Sequence, residues 1–113
     1  MVNNNWTTEF NAAITVCNAD GVITEMNNKS VLTFENDGGK ELIGKNLFDC
    51  HPEPSRTQLK DIMDGQKTNV YTIEKGGKKK LIYQSPWYEN GAYKGLVEIA
   101  LEIPTEMLHF KRD

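Results

Sequence analysis

VYTIEKGGKKKLIYQSPWYENGAYKGLVEIALEI, residues 70–103, runs in alternating apolar and polar side chains around two turn dipeptides, Gly76-Gly77 and Asn90-Gly91. Gly-Gly and Asn-Gly supply the positive φ angles that a two-residue hairpin needs, so the stretch predicts a meander of three antiparallel strands. In the last of them Val97, Ile99, Leu101 and Ile103 alternate with Glu98, Ala100 and Glu102. This reads as a central strand whose apolar row is roofed by helices and whose other face, with Glu98 and Glu102, is solvated. Pro86 is expected to interrupt the middle strand and Pro104 to end the last, because proline cannot donate to a ladder.

Upstream the same period appears once more. Ile14 and Val16 point one way and Thr15 and Cys17 the other, Asp20-Gly21 turns the chain, and Val22 to Met26 returns. Asn27 and Asn28 end that strand as turn formers. Between the two sheet portions, residues 29–35 read as a short helix, Asn36-Asp37-Gly38-Gly39 breaks it, and Leu42, Ile43, Leu47 and Phe48 lie in further short turns. A longer helix starts at Pro54-Ser55, carries Leu59, Ile62 and Met63 on one face, and stops at Gly65. The expected fold class is therefore α+β, a five-stranded antiparallel sheet with short helices packed on one face. Residues 1–11, with Trp6 and Phe10 one helical turn apart, form a cap segment; 12–104 form the folded body; 105–113 form a tail containing Met107, Leu108 and Phe110.

A chain of 113 residues supports one core. Thirteen Lys+Arg against sixteen Asp+Glu give a net charge of -3, which provides no field for nucleic acid. The one basic cluster, Lys75 and Lys78 to Lys80, sits at the Gly76-Gly77 turn and reads as a solvated hairpin tip. No apolar run approaches the ~20 residues of a membrane span, and the amino terminus lacks the charged and apolar regions of a signal peptide, so a cytoplasmic location without a membrane partner is expected. There Cys17 and Cys50 would stay thiols.

Taken together, Ile14-Thr15-Val16-Cys17-Asn18-Ala19-Asp20-Gly21-Val22-Ile23, the exit Met26-Asn27-Asn28, the segment Glu41 to Phe48 and the closing Gly91 to Ile99 resemble a PAS domain, the small ligand-sensing module of bacterial signalling. The resemblance covers residues 12–104. Cys50-His51-Pro52-Glu53-Pro54-Ser55 is similar to a narrower PAS subgroup with Cys-His-Pro before the long helix, which includes small stand-alone bacterial proteins. The resemblance implies a sensory or regulatory role and names no ligand.

Cys50-His51 is the place where metal, heme or nucleophile chemistry would begin. Zinc requires four spaced ligands, and Cys17, Cys50, His51 and His109 contain no paired unit, so no metal site is assigned. Adjacent side chains diverge and no oxyanion loop accompanies the pair, which argues against a Cys-His nucleophile. The resemblance implies two cofactor alternatives, heme held through His51 and flavin. Light-driven flavin adduct chemistry is disfavoured, because Gly44-Lys45-Asn46 is followed by Leu47 where the photosensory subgroup has its cysteine. No phosphate-cradling loop, nucleophile elbow or metal-binding helix motif is present, so an enzyme is not expected.

The leading expectation is a PAS sensory module with no chemistry of its own, binding a small molecule, a signalling protein partner, or both. Its pocket would lie between the helices and the last three strands, with Leu59, Ile62, Tyr83, Val97 and Ile99 as walls, Asn27, Cys50 and His51 as polar groups, and Trp87 as an aromatic lining or interface residue. The alternatives are a heme-based redox or gas sensor using His51, and a ligand-free interaction module. A homodimer built on the Trp6/Phe10 segment and the outer sheet face is the expected assembly.

Overall fold

Antiparallel pairing of β1 (Ala13–Asn18) with β2 (Ile23–Met26) begins the sheet in a computed structural model that describes residues 5–113. Residues 1–4 of the expected cap segment lie outside the described residues. The turn between the strands is fixed by Asn18, whose side-chain oxygen accepts from the backbone N–H of Asp20 and of Val22, both at 3.0 Å, while Gly21 takes φ +87°. After α1 (Asn28–Thr33), two single 3-10 turns, α2 (Leu47–Cys50) and α3 (Ser55–Asp64), the chain forms β3 (Asn69–Lys75), β4 (Lys78–Glu89) and β5 (Ala92–Ile103). The strand order is β2-β1-β5-β4-β3, every neighbouring pair antiparallel, so β5 is the middle strand as its pattern predicts.

β4 is longer than the sequence suggests. It continues unbroken through Pro86, which stands opposite Leu96, and shifts register only between Trp87 and Tyr88. β3 accompanies β4 only as far as Gln84, so at Pro86 the strand has a neighbour on one side only, and a missing donor is tolerated there.

The face of β5 that the helices cover is the opposite of the one expected. Cys17 stands opposite Leu96, and both are buried in one cluster with Leu59 and Met63 of α3, with Leu47, Phe48 and Ile62 packed around it. By the period of two, Thr15, Cys17, Leu96, Glu98 and Gln84 then share the helix side. Val97 and Ile99, with Leu101 and Ile103, point to the other face, beside Val16, Leu81 and Tyr83. Alternation shows which side chains are neighbours; which side is roofed is decided by where α3 docks, and α3 docks on Leu96.

Two asparagines hold the helical region to the sheet. The Asn27 carbonyl oxygen accepts from Ile14 N (2.9 Å) and Ser30 N (3.0 Å), and its amide donates to the carbonyls of Thr7 (2.9 Å) and Ala12 (2.8 Å). One buried amide thus caps α1 and ties it to β1 and to the amino-terminal turn. Asn46 caps α2 through Phe48 N (2.8 Å) and donates to Asp20 O (3.0 Å) in the first hairpin. At the start of α3 the side-chain cap comes from Glu53, which accepts from Thr57 N and Oγ1; those bonds hold its carboxyl below the usual range.

Replacing Asn27 by Ala leaves two donors and two acceptors of the backbone without their partner, so Asn27→Ala is expected to lower stability by about 2–4 kcal/mol in urea unfolding. A loss below about 0.5 kcal/mol would remove the joint from the account. Cys17 is buried, and burial pushes its thiol up against the opposing effect of a hydrogen bond from the Leu96 backbone, whereas Cys50 is exposed. Iodoacetamide at pH 8 is therefore expected to modify Cys50 in the native protein and both cysteines only in denaturant. Equal native rates, read by peptide mass, would contradict this packing.

Candidate functional site: a cavity under the helices

Between the helices and the covered face of the sheet lies a cavity of about 540 Å³, in the range of small-molecule sites. Its floor is apolar and is made where β1 and β5 meet α3, at Cys17, Leu96 and Leu59. Its polar wall is Thr15, Gln84 and Glu98. The helical side contributes Asp37, Cys50 and His51, of which Asp37 and Cys50 are exposed at the rim and His51 is half-buried.

The polar wall is organised across three strands. Asn69 Nδ2 on β3 donates to Gln84 Oε1 on β4 at 3.0 Å, and Gln84 Nε2 donates to Glu98 Oε2 on β5 at 2.8 Å. Burying Gln84 is tolerable because its oxygen and one N–H are satisfied in this chain. Glu98 keeps its second oxygen, Oε1, without a hydrogen-bond or ion-pair partner among the described residues. Its charge acts beyond contact range: the Tyr71 phenol is pushed up, first by burial and then by the Glu98 carboxylate. Thr15 is already engaged, its hydroxyl 2.6 Å from that of the fully buried Ser30.

His51 follows the last residue of α2 and has a defined tautomer. Its Nδ1 lies 2.7 Å from Leu47 O, a carbonyl that can only accept, so the neutral ring donates from Nδ1 and keeps the Nε2 lone pair. That is the arrangement of a histidine prepared to accept a hydrogen bond or to ligate. No group of three or more His, Cys, Asp or Glu suited to a metal ion comes together among the described residues.

The residues expected to form the site are dispersed. Cys50, His51 and Leu59 line the cavity. Ile62 packs against the adjacent core cluster, outside the lining. Tyr83, Val97 and Ile99 lie on the far face of the sheet, which corrects their expected place as walls; Tyr83 is 40% exposed there. Asn27 does not contribute a polar group, because both amide hydrogens and both acceptor directions are occupied by the backbone. Trp87 donates from Nε1 to Cys17 O at 3.1 Å, reaching past Gly95, where a Cβ would run into that same carbonyl. Its aromatic neighbours diverge: Tyr88 bonds Gln66 at 3.0 Å and stacks edge-on with Tyr93 at 6.2 Å.

The wall residues Thr15, Gln84 and Glu98 escaped the sequence reading, which took Glu98 for a solvated strand position. One signal was available: Gln84 and Glu98 are cross-strand partners once the Asn90-Gly91 hairpin sets the register, and a paired amide and carboxylate in adjacent middle strands mark a polar interior. Glu102, the other acidic residue of that row, is exposed and 3.5 Å from Lys78.

Solved structures share this architecture. A C-terminal domain from Streptococcus mutans aligns with a TM-score of 0.71 at 18% identity, covering 85% of this chain and 78% of that one. A structure of the Aer2 receptor from Vibrio cholerae, described as a dual PAS-heme oxygen sensor, aligns with a TM-score of 0.63 at 16% identity over 82% of this chain and 95% of that one. The PAS domain of the histidine kinase ThkA aligns with a TM-score of 0.63 at 22% identity over 80% and 98%. No curated protein matches the chain. The family model for the PAS fold matches residues 7–67, more than half of the 113, and the chain belongs to the PAS fold family.

Proposed function

We propose that the protein is a sensory module of signal transduction that binds a small molecule in the cavity under its helices and passes the state of that cavity to a signalling partner or a second copy. The observation that carries the reading is the 540 Å³ cavity itself, with an apolar floor at Cys17, Leu59 and Leu96 and an oriented polar wall at Gln84 and Glu98. Such a site recognises shape through its floor and orientation through its wall. The use of related folds in a histidine kinase and in an oxygen receptor supports the sensory role.

Output follows from where the cavity lies. Its floor is the sheet, and on the reverse side of that sheet Val97, Ile99, Leu101 and Tyr83 form a half-exposed apolar face, while Trp6 and Phe10 stack edge-on at 5.3 Å at the amino-terminal end. A ligand that favours one packing of α3 against Leu96 over another changes the surface presented on that reverse face, and coupling of about 1–3 kcal/mol is sufficient for a signal. A homodimer across that face is the assembly that would read it.

A second reading, heme ligation by His51, is favoured by the free Nε2 lone pair. Against it stand the cavity's charges, since heme brings two propionates and the lining holds Asp37 and Glu98 with no Lys or Arg. Hemin added to the purified protein decides between them. The first reading expects no Soret shift that depends on His51; a shifted band abolished by His51→Ala would establish the second.

Native mass spectrometry tests the first reading. Protein purified gently from its own host is expected to carry an additional small-molecule mass, and Leu42→Trp, which places an indole in the cavity from the helical side, is expected to lose it. Wild-type protein with no additional mass, and with no thermal shift in a library of small apolar compounds, would overturn the reading.

A further inference from the structure

We infer that the cavity takes an organic cation, a molecule with an apolar body and a protonated nitrogen head seated against Glu98. The inference rests on the reading of this cavity as a ligand site and adds the chemical class of its occupant.

The electrostatic inventory of the lining is one-sided. Its charged side chains are Asp37 at the rim and Glu98 on the wall, and no Lys or Arg is among the lining residues. Among the described residues neither carboxylate has an ion-pair partner. The hydrogen-bond inventory points the same way. Among the described residues Glu98 Oε1 and, on the neutral ring, His51 Nε2 are acceptors without donors, whereas Thr15 is engaged with Ser30, and Gln84 directs one N–H to Glu98 and keeps the other. A ligand that donates completes this set; one that brings a carboxylate or phosphate meets two like charges and no Lys or Arg, at a penalty that grows as water leaves the cavity.

The Asn69-Gln84-Glu98 chain gives the wall its direction. By occupying Glu98 Oε2 it fixes the carboxylate plane and leaves Oε1 for the ligand, a charge-assisted acceptor prepared before binding. A bare metal ion is not favoured, because no group of three or more His, Cys, Asp or Glu that could hold one comes together among the described residues. The apolar floor at Cys17, Leu59 and Leu96 requires carbon on the occupant as well as charge. An organic ammonium with an aromatic or aliphatic body meets both demands.

A matched trio of probes tests this on the full chain: tryptamine, neutral tryptophol and anionic indole-3-acetate, which share an indole body and differ in the head. Calorimetric titration is expected to rank tryptamine about tenfold or more above tryptophol, with indole-3-acetate weakest, the size of one charge-assisted contact. Glu98→Gln is expected to weaken tryptamine far more than tryptophol and so remove most of the preference, and Asp37→Asn to reduce it by a smaller factor; a thermal melt of each variant confirms that it is folded. Tryptophol binding as well as tryptamine, or a preference that survives Glu98→Gln, would overturn the inference while leaving the cavity a ligand site. Should none of the three bind, the charge of the mass carried by the native protein decides: a cation upholds the inference, and an anion or a neutral molecule refutes it. With no carried mass and no thermal shift in the compound library as well, the ligand-site reading fails and the inference falls with it.

Discussion

Leu96 of the middle strand, paired with Cys17 and covered by Leu59 and Met63, is the contact on which the rest of the structure depends. Leu96, Leu59 and Met63 each contribute on the order of 1.5–3 kcal/mol when removed from water, and with Cys17 they fix which side of a two-sided sheet receives α3. Everything at the cavity follows by the pleat. With Leu96 inward, Glu98 is inward, its partner Gln84 is inward, and Thr15 and Cys17 join them from β1. A shift of one residue would move all of these to the far face and bring Val97 and Ile99 under the helices instead.

The cluster is small for the space it helps enclose, and this relates packing to function. α3 is held to the sheet by Leu59 and Met63, and α2 and the 3-10 turns are anchored through Asn46 and Gly21, where Leu47 N donates to Gly21 O at 2.8 Å and a Cβ on Gly21 would strike the Phe48 ring. Between these supports the helices arch over the sheet and leave the cavity. Its polar wall is held by the Asn69-Gln84-Glu98 chain within the sheet, and it remains receptive because, among the described residues, one carboxylate oxygen and one imidazole nitrogen have no partner. Asn27 works in the opposite way: with its amide fully used, it makes a rigid joint between the amino-terminal turn, β1 and α1 and retains no capacity for a ligand.

Most of the fold was legible in the sequence. Asp20-Gly21, Gly76-Gly77 and Asn90-Gly91 located the three hairpins, the even period of Val97 to Ile103 identified the middle strand, and the spacing of Leu59 and Met63 gave the buried edge of α3. The site was legible only on its helical side, where Cys50 and His51 stand out as residue types. The sheet side was misassigned because both faces of β5 carry side chains that leave water. An apolar row on an open sheet face and an apolar row beneath helices have the same period, so the pattern of Val97 and Ile99 points the cavity to the wrong face and makes Glu98 read as a solvated position. Pro86 misled for a related reason: a proline excludes a strand only where both neighbours need its N–H, and β3 stops short of it. Both errors concern which element lies alongside, information that sits in the docking of distant segments and not in the local pattern.

The orientation of β5 is measured most directly by methyl-methyl nuclear Overhauser effects in protein selectively labelled at Leu, Val, Ile and Met. Cross-peaks are expected from Leu96 to Leu59 and Met63, from Val97 to Val16 and from Ile99 to Ile14, with none from Val97 or Ile99 to Leu59 or Met63. Cross-peaks joining Val97 or Ile99 to the α3 methyls would place Glu98 outside, and the cavity described here would not exist.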